Sequence, residues 1–314
     1  MVLVPGTPTV SPAAHPTGLA LWWAGARPRT LPVSVVPVAV GAAVAARYVA
    51  DPWYAHLTWW RVACALVVAL MLQVGVNYAN DYSDGVRGTD DDRVGPLRLT
   101  GSGLVGPAKV KAAAFGSFAV AAVAGLALAA TTSWWLLLVG AAAILAAWFY
   151  TGGTNPYGYL GLGDVSVFVF FGLVAVMGSA YVAGDDPQVT GRSVLASVPV
   201  GLLAVAVLVA NNLRDLPKDA LAGKRTSAVR LGETGTRWFY TLCVVAAFAT
   251  AMVLVGWPWL VLVLLAAGFA VPVVRRVLSG ATGRDLIPVL ARTGRLQLIC
   301  GLAIVVALLA AEVL

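Results

Sequence analysis

Two clusters of Asn and Asp residues are the part of this sequence best able to do chemistry. The first covers residues 77–84 and the second covers residues 211–219, and each lies at the end of a long apolar stretch. Carboxylates at membrane depth are costly, so their presence indicates a function. Helical spacing of i, i+4 and i+7 or i+8 puts three side chains of each cluster on one helix face. Those faces are predicted to carry Asn77, Asp81 and Asp84, and Asn211, Asp215 and Asp219.

Oxygen-rich faces of this kind predict a site for hard divalent cations. Mg²⁺ is usually held by one or two carboxylates together with substrate phosphates, so two facing clusters would hold Mg²⁺ against a diphosphate. The predicted catalytic carboxylates are Asp81, Asp84, Asp215 and Asp219. The predicted metal ligands are Asn77, Asp81, Asp84, Asp90, Asn211, Asp215 and Asp219. Asp90 is the weaker candidate, because it begins a run of three aspartates in a loop, where charges are usually solvated.

Basic and amide side chains near both clusters are suited to binding phosphate oxygens. Guanidinium and ammonium groups can clamp a diphosphate and stabilise it as a leaving group, and amides add hydrogen bonds without charge repulsion. The candidates are Asn77, Asn80, Arg93, Arg98, Asn211, Lys218, Lys224 and Arg225. Membrane topology explains part of this pattern, because Lys and Arg also collect in cytoplasmic loops.

The composition is that of a polytopic membrane protein. Of the 314 residues, 60% are hydrophobic and only 11% are charged, whereas soluble domains carry about 25% charged residues. The mean hydropathy is +0.86. The net charge of +7 does not indicate nucleic-acid binding, because the basic residues lie mostly in loops between apolar runs. The predicted fold class is all-α, with the lipid bilayer as a partner.

Apolar runs of about 20 residues divide the chain into nine predicted transmembrane helices. Their approximate bounds are residues 30–49, 60–84, 107–131, 133–150, 163–183, 193–216, 236–256, 258–276 and 293–313. Residues 1–18 are rich in Pro, Thr and small residues and are predicted to be a disordered tail. Residues 19–314 are predicted to form a single transmembrane domain, so both clusters belong to one bundle.

The distribution of Lys and Arg predicts the orientation of this bundle. With nine helices the loops alternate between the two sides of the membrane, and all but three of the 21 Lys and Arg residues fall on one side. The exceptions are Arg47, Arg61 and Arg192. The positive-inside rule then predicts that the N-terminus and both clusters are cytoplasmic and that the C-terminus is outside.

A third stretch, residues 150–164, joins two predicted helices and is rich in Gly and Tyr. Its aromatic rings are suited to lining an acceptor pocket and to stabilising a carbocation within about 6 Å. The candidate residues here are Tyr150, Tyr157 and Asp164. An interfacial aromatic belt with Gly and Pro turns explains the same composition equally well.

These motifs together resemble the UbiA superfamily of intramembrane aromatic prenyltransferases, and more closely its 1,4-dihydroxy-2-naphthoate polyprenyltransferase branch. The resemblance covers the chain after about residue 20. It rests on Arg27-Pro-Arg29-Thr-Leu-Pro, Asn77-x-x-Asn80-Asp81-x-x-Asp84 with Asp90, Gly95-Pro-x-Arg98-Leu-Thr, the Gly-Gly-x-x-Pro-Tyr-Gly-Tyr stretch that ends at Asp164, and Asn211-Asn212-x-Arg214-Asp215-x-x-x-Asp219 with Gly223-Lys224-Arg225-Thr226. The Asp motifs indicate the superfamily, and the aromatic stretch indicates the naphthoate branch.

The resemblance implies a nine-helix bundle around a central cavity, in which the Asp motifs bind Mg²⁺ and the diphosphate of a polyprenyl donor. It implies ionisation of the allylic diphosphate, attack by the dihydroxynaphthoate ring at the carbon bearing the carboxylate, and loss of CO₂ to give demethylmenaquinone. Arg29 is a candidate partner for the acceptor's carboxylate, with a purely topological role as the alternative. Many relatives carry a second Asp four residues after the first, where this chain has Gly85 after Asp81. Asp84 or Asp90 must then take that role.

Two other functions are open at this point. A relative in the same superfamily would use 4-hydroxybenzoate, homogentisate or haem as the acceptor. An ion or phosphate transporter would also place Asp and Asn within the membrane. A transporter should carry polar residues at mid-membrane or on the far side, whereas the predicted helices at 236–256 and 293–313 are almost uniformly apolar. Neither the prenyl length nor the oligomeric state follows from the sequence.

Overall fold

The computed structural model describes residues 16–46, 57–88 and 97–311. These residues form twelve α-helices: α1 Gly18–Ala26, α2 Pro32–Ala46, α3 Trp59–Val86, α4 Pro107–Thr131, α5 Leu136–Phe149, α6 Gly163–Val167, α7 Ala175–Ala183, α8 Gly191–Leu221, α9 Ser227–Val255, α10 Leu260–Gly268, α11 Ala270–Leu278 and α12 Ile287–Ala310. A π-helix over Phe168–Val174 joins α6 to α7. The all-α prediction is confirmed for the described part of the chain. Most of the predicted tail, residues 1–15, lies outside it.

The number of membrane spans is lower than the predicted nine by the criterion of helix length. Six helical segments are long and apolar enough to cross a membrane, and two bent pairs, α1 with α2 at 56° and α10 with α11 at 41°, would raise the total to eight among the described residues. α5 has 14 residues and is therefore about 21 Å long, short of the ~30 Å hydrocarbon core. Each predicted segment overlaps a helix, but nine spans stays a prediction.

The helices around the second cluster extend further than the apolar pattern predicts. α8 continues to Leu221, so the whole second cluster is helical. α9 begins at Ser227, before the predicted residue 236, and the Thr226 hydroxyl oxygen accepts a hydrogen bond from the Val229 backbone N–H at 3.4 Å. Such a cap sets a helix start. The backbone breaks at Gly232, with φ of 68° and ψ of 179°, so this first turn is separate from the long apolar part of α9. Hydropathy marks only the lipid-embedded part of each helix, so it misses the polar residues that extend α8 and precede the break in α9.

Close helix packing holds α8 at the centre of the molecule. α8 packs against α9, α12 and the π-helix, while α3 packs against α4. A Cβ on Gly172 of the π-helix would lie 2.7 Å from the Gly201 Cα of α8, so both backbones approach closely because both positions are glycine. This packing fixes the wall that carries the second cluster.

Candidate active site

The two clusters open onto one cavity of about 380 Å³. Residues of α3 and α8 line one end of it together with side chains from three loops. These residues are Asn77, Asn80, Asp84, Asn211, Asn212, Asp215 and Asp219, with Arg98, Tyr150, Tyr157, Tyr159 and Lys224 from the loops. We call this region the acidic end. The structure therefore brings most of the predicted site residues together from segments that are far apart in the chain.

Lys224 connects the two clusters. Its Nζ lies 3.3 Å from Asp84 Oδ1 and 3.7 Å from Asp219 Oδ1, and 4.5 Å from the centre of the Tyr159 ring. The Lys224 side chain is only 11% exposed, so these charges interact where water screens them weakly. Two carboxylates from different helices thus face one position that holds a cation.

Asp84 is held from several sides at the acidic end. It is buried, accepts a hydrogen bond from the Tyr159 hydroxyl, and lies 3.5 Å from Arg98 Nη2. Burial is the main reason that the pKa of Tyr159 is raised to about 12; Asp84 adds to this rise and Lys224 opposes it. The phenol therefore stays protonated at neutral pH and donates to Asp84.

Asp81 does not line this cavity. It is fully buried, and its carboxylate oxygens accept the backbone N–H groups of Leu99, at 2.6 Å, and Thr100, at 2.9 Å. Asp81 thereby holds the turn that carries Arg98 to Asp84. The geometry favours this structural role over the predicted roles of metal ligand and catalytic carboxylate.

Gly85, four residues after Asp81, lies against the turn that Asp81 holds. A Cβ at Gly85 would lie 2.6 Å from Thr100 Cβ, so a side chain fits there only if the turn moves. The cavity face of α3 carries Asn77, Asn80 and Asp84 rather than the predicted Asn77, Asp81 and Asp84. Asp90 and Arg93 lie outside the described residues, and their roles stay predictions.

Asn77 fixes the junction between α1 and α2. Its Nδ2 donates to the Ala26 carbonyl oxygen at 2.9 Å and to Thr30 Oγ1 at 3.1 Å. Within this junction Arg27 has a left-handed backbone, with φ of 56°, a strained conformation for a residue with a Cβ. Arg27 lines the cavity, whereas Arg29 is exposed and does not. The predicted acceptor contact of Arg29 is therefore not supported, and Arg27 holds the suitable position.

Asp215 is paired within its own helix. Arg214 donates to both Asp215 carboxylate oxygens, at 2.8 and 2.7 Å, and to Asn211 Oδ1 at 2.8 Å. Arg214 is buried, so these charge-assisted bonds are strong and specific in direction. The Arg214 guanidinium orients Asp215 and Asn211 on the cavity wall, and Asp219 extends from the same helix to Lys224.

Tyr150, Tyr157 and Tyr159 of the 150–164 stretch lie at the acidic end, and their role as an acceptor pocket stays a prediction. The Tyr150 and Tyr157 rings line the cavity with centres 5.6 Å apart at 83°, and the Thr151 hydroxyl donates to Asn80 Oδ1 at 2.7 Å. Three other predicted residues do not line the cavity. Asp164 is buried at the start of α6, Lys218 is half-buried and Arg225 is exposed. Their predicted substrate contacts are not supported by this geometry.

The chain matches one protein family over most of its length. Residues 34–286 match the model of the UbiA prenyltransferase family. The chain belongs to this family. It is 50% identical over 290 residues to the 1,4-dihydroxy-2-naphthoate octaprenyltransferase of Mycobacterium tuberculosis, a match that covers 92% of this chain and 97% of the relative. This UbiA family member is an aromatic prenyltransferase.

Solved structures of UbiA homologs share this fold. The apo homolog from Aeropyrum pernix K1 matches with a TM-score of 0.68 at 18% identity, over 88% of this chain and 97% of that one. A homolog from Archaeoglobus fulgidus, described as bound to GPP and Mg²⁺, matches with a TM-score of 0.66 at 13% identity, over 93% and 99%. The family and the long apolar helices make this a multi-pass membrane protein.

The oxygen ligands in the cavity of this UbiA family member suit a magnesium ion that is bound partly by protein side chains and partly by a substrate. Within residues 16–46, 57–88 and 97–311, no three carboxylate, imidazole or thiol groups lie close enough to form a metal site by themselves. Mg²⁺ does not require such a cage, because one or two carboxylates, waters and substrate phosphates usually bind it. Asp84 and Asp219, which both contact Lys224 Nζ, form a suitable pair.

Tyr159 and Arg27 line the cavity, and neither is among the predicted site residues. Tyr159 lies in the predicted aromatic stretch, but the composition signal is the same for all three of its tyrosines, and only the folded chain shows which one reaches Asp84. Arg27 stands two residues before Arg29 in the same motif. Helical spacing cannot separate these arginines, because Arg27 is not in a helical conformation.

Proposed function

We propose that this protein transfers a polyprenyl group from a polyprenyl diphosphate to 1,4-dihydroxy-2-naphthoate with Mg²⁺ as cofactor. Diphosphate and CO₂ leave, and the quinol form of demethylmenaquinone, demethylmenaquinol, is produced. The observation that carries this proposal is the position of Lys224 between Asp84 and Asp219 at the head of a largely apolar cavity. The Mycobacterium tuberculosis relative supports the acceptor, and the homolog described as bound to GPP and Mg²⁺ supports the donor class.

The acidic end supplies both signs of charge that a metal diphosphate needs. Asp84 and Asp219, with the amide oxygen of Asn80, would hold Mg²⁺, which neutralises the diphosphate and assists its departure. Lys224 and Arg98 supply N–H donors for phosphate oxygens. The C–O bond of the allylic donor breaks, and its electron pair leaves with the diphosphate.

The cavity wall next to the acidic end suits a short-lived allylic cation. Tyr150 and Tyr157 line it, together with Phe170 and Phe171 of the π-helix. An aromatic face stabilises a nearby cation by about 0.5–2 kcal/mol. The surrounding apolar side chains exclude water, which would otherwise hydrolyse the cation.

Arg27 is suited to binding the carboxylate of the acceptor, the role predicted for Arg29. A guanidinium matches a carboxylate with two parallel hydrogen bonds, and Arg27 lines the cavity. The new C–C bond forms at the ring carbon that bears the carboxylate. The bond from that carbon to the carboxylate then breaks, its electron pair returns to the ring, and CO₂ leaves. No general base is required, because no proton is removed from that carbon.

We assign the acidic end and the N-terminus to the cytoplasmic face and the C-terminus to the outside. All but three of the 21 Lys and Arg residues fall on the side predicted to be cytoplasmic, as the positive-inside rule requires. Ser279, in the exposed turn after α11, is on the same predicted side. A membrane-impermeant maleimide is expected to label Ser279→Cys only after cell lysis, and labelling of intact cells would reverse the orientation.

Reconstituted turnover tests the proposed reaction. Purified protein with Mg²⁺, a polyprenyl diphosphate and 1,4-dihydroxy-2-naphthoate is expected to release diphosphate and CO₂ and to form a product with the mass of the corresponding demethylmenaquinol, or of demethylmenaquinone after oxidation by air. EDTA should stop the reaction and added Mg²⁺ should restore it, because the diphosphate loses its counter-charge. Parallel assays use 4-hydroxybenzoate and homogentisate. No diphosphate release with any acceptor would exclude the proposal, and a product that keeps the carboxylate would exclude the decarboxylation.

A further inference from the structure

We propose that the prenyl tail of the donor leaves the cavity between α5 and α7, past Gly140 and Gly178, and that these two glycines set how long a tail is accepted. This inference rests on the proposed function, because it assigns a place to the apolar chain of the donor. The diphosphate is held at the acidic end, so the tail must occupy the apolar space that continues from there.

The cavity extends far from the acidic end. On α3 its wall runs from Asp84 to Ala65, which are nineteen positions and therefore about 28 Å apart along the helix axis. This length approaches the ~30 Å thickness of the hydrocarbon core of a bilayer. Beyond Gln73 the α3 side chains that line the cavity are Leu72, Ala69, Val68 and Ala65. This part of the cavity suits a hydrocarbon chain.

The volume of the cavity is nevertheless small for a long donor. Its volume of about 380 Å³ is near the lower end of the ~300–1,000 Å³ typical of pockets that enclose drug-sized ligands. A long polyprenyl diphosphate together with a naphthoate acceptor is much larger than such a ligand. Part of the tail must therefore lie outside the cavity. This apolar part is more stable in lipid than in water.

α5 and α7 border the cavity without packing closely on each other. α5 packs against α3 and α4, whereas α7 packs against α2, α3 and α8. Both helices contribute side chains to the cavity wall. A prenyl tail that passes between α5 and α7 therefore disrupts fewer contacts between helices than one that passes between α3 and α4 or between α8 and α9.

Side chains connect α5 to the α6–α7 helix at both ends of this wall. At the acidic end, the Tyr157 hydroxyl donates to the Ala146 carbonyl oxygen of α5 at 2.8 Å and lies 2.8 Å from Ser166 Oγ of α6. At the far end, Trp135 Nε1 donates to the Tyr181 hydroxyl at 3.3 Å, and the two ring centres are 5.3 Å apart. These contacts hold the helices at a set spacing, and the proposed passage lies between them.

Gly140 on α5 and Gly178 on α7 keep this wall open. Both line the cavity, and a Cβ built on either would meet no atom of the described residues within 4 Å. A Cβ on Gly41, by contrast, would lie 2.5 Å from the Val176 carbonyl oxygen, as expected where a glycine lets two helices approach. Gly140 and Gly178 serve no such packing contact, and their effect is to leave space.

Gly140 and Gly178 lie at a similar depth in the helix bundle. Gly140 follows Trp135 by five residues and Gly178 precedes Tyr181 by three, so they are about 7.5 and 4.5 Å along their helices from that ring pair. The outer face of α5 is apolar, with Leu138 at 76% exposure. A tail that passes the two glycines therefore enters lipid.

Leucine substitutions test this path. Gly140→Leu and Gly178→Leu are expected to lower the ratio of kcat/KM for octaprenyl diphosphate to kcat/KM for geranyl diphosphate by at least about tenfold, because the new side chain blocks a long tail and a short tail does not reach the gap. Gly116→Leu is the matched control, since Gly116 is exposed on α4, has equally open surroundings and does not line the cavity. An unchanged ratio in both cavity variants, or an equal fall in the control, would overturn the proposal.

Photo-crosslinking tests the same path without turnover. An octaprenyl diphosphate analogue with a diazirine in the distal half of its tail is expected to label peptides of α5 and α7, and the two leucine variants should lose this labelling. Labels on α2 and α12 in an active enzyme would overturn the exit and leave the proposed function intact. Labels on α5 and α7 without turnover of any donor and acceptor pair would support the exit and overturn the proposed function.

Discussion

Asp84→Asn is expected to lower kcat for prenyl transfer about 10²- to 10³-fold in a protein that still folds. The change keeps the size of the side chain and an oxygen for the Tyr159 hydroxyl, but it removes the charge that lies 3.3 Å from Lys224. The magnesium diphosphate then loses one of its two carboxylate ligands, of which α3 provides one and α8 the other. Asp219→Asn should act in the same way, because Asp219 is the other.

Steady-state kinetics with a Mg²⁺ titration measures this effect. Asp186→Asn is the matched control, because Asp186 is exposed between α7 and α8 and contacts Gln188 rather than the cavity. A kcat near the wild-type value in Asp84→Asn would contradict the proposed metal site. A similar loss in Asp186→Asn would show that the effect is not specific to the acidic end.

Asp81→Ala is expected to destabilise the protein by about 3 kcal/mol. The backbone N–H groups of Leu99 and Thr100 would lose a buried charged acceptor, and each buried donor left without a partner costs about 1–3 kcal/mol. The turn that carries Arg98 to Asp84 should loosen. Activity would fall as a consequence of this structural change and not through loss of a metal ligand.

Thermal unfolding in detergent with a thiol-reactive dye measures this loss, because Cys243 and Cys300 are buried in the folded protein. Asp81→Asn should be milder, since one side-chain oxygen still accepts a hydrogen bond. A wild-type melting temperature in Asp81→Ala, combined with a raised Mg²⁺ requirement, would instead assign Asp81 to the metal shell, as its helical spacing predicts.

The segments that form helices could be predicted from apolar runs, and the number of spans could not. The predicted helices at 107–131 and 163–183 coincide with α4 and with Gly163–Ala183, because hydropathy reports directly which residues prefer lipid. Hydropathy does not report direction, so the apolar run alone does not predict the 41° bend between α10 and α11. It also misses the short polar turn that Thr226 caps and that ends at the break at Gly232.

The amino-acid sequence alone places two acidic clusters, with cations nearby, at the ends of apolar helices. Because charge near lipid is costly, their presence already indicates a functional site. The tertiary structure decides which side chains of each cluster meet. Asp81 and Asp84 have the same chemistry and lie one turn apart, yet one holds a turn through Leu99 and the other faces Lys224. Helical periodicity assigns a residue to a face, but its partners come from segments far along the chain, and only the packed helices bring them within hydrogen-bonding distance.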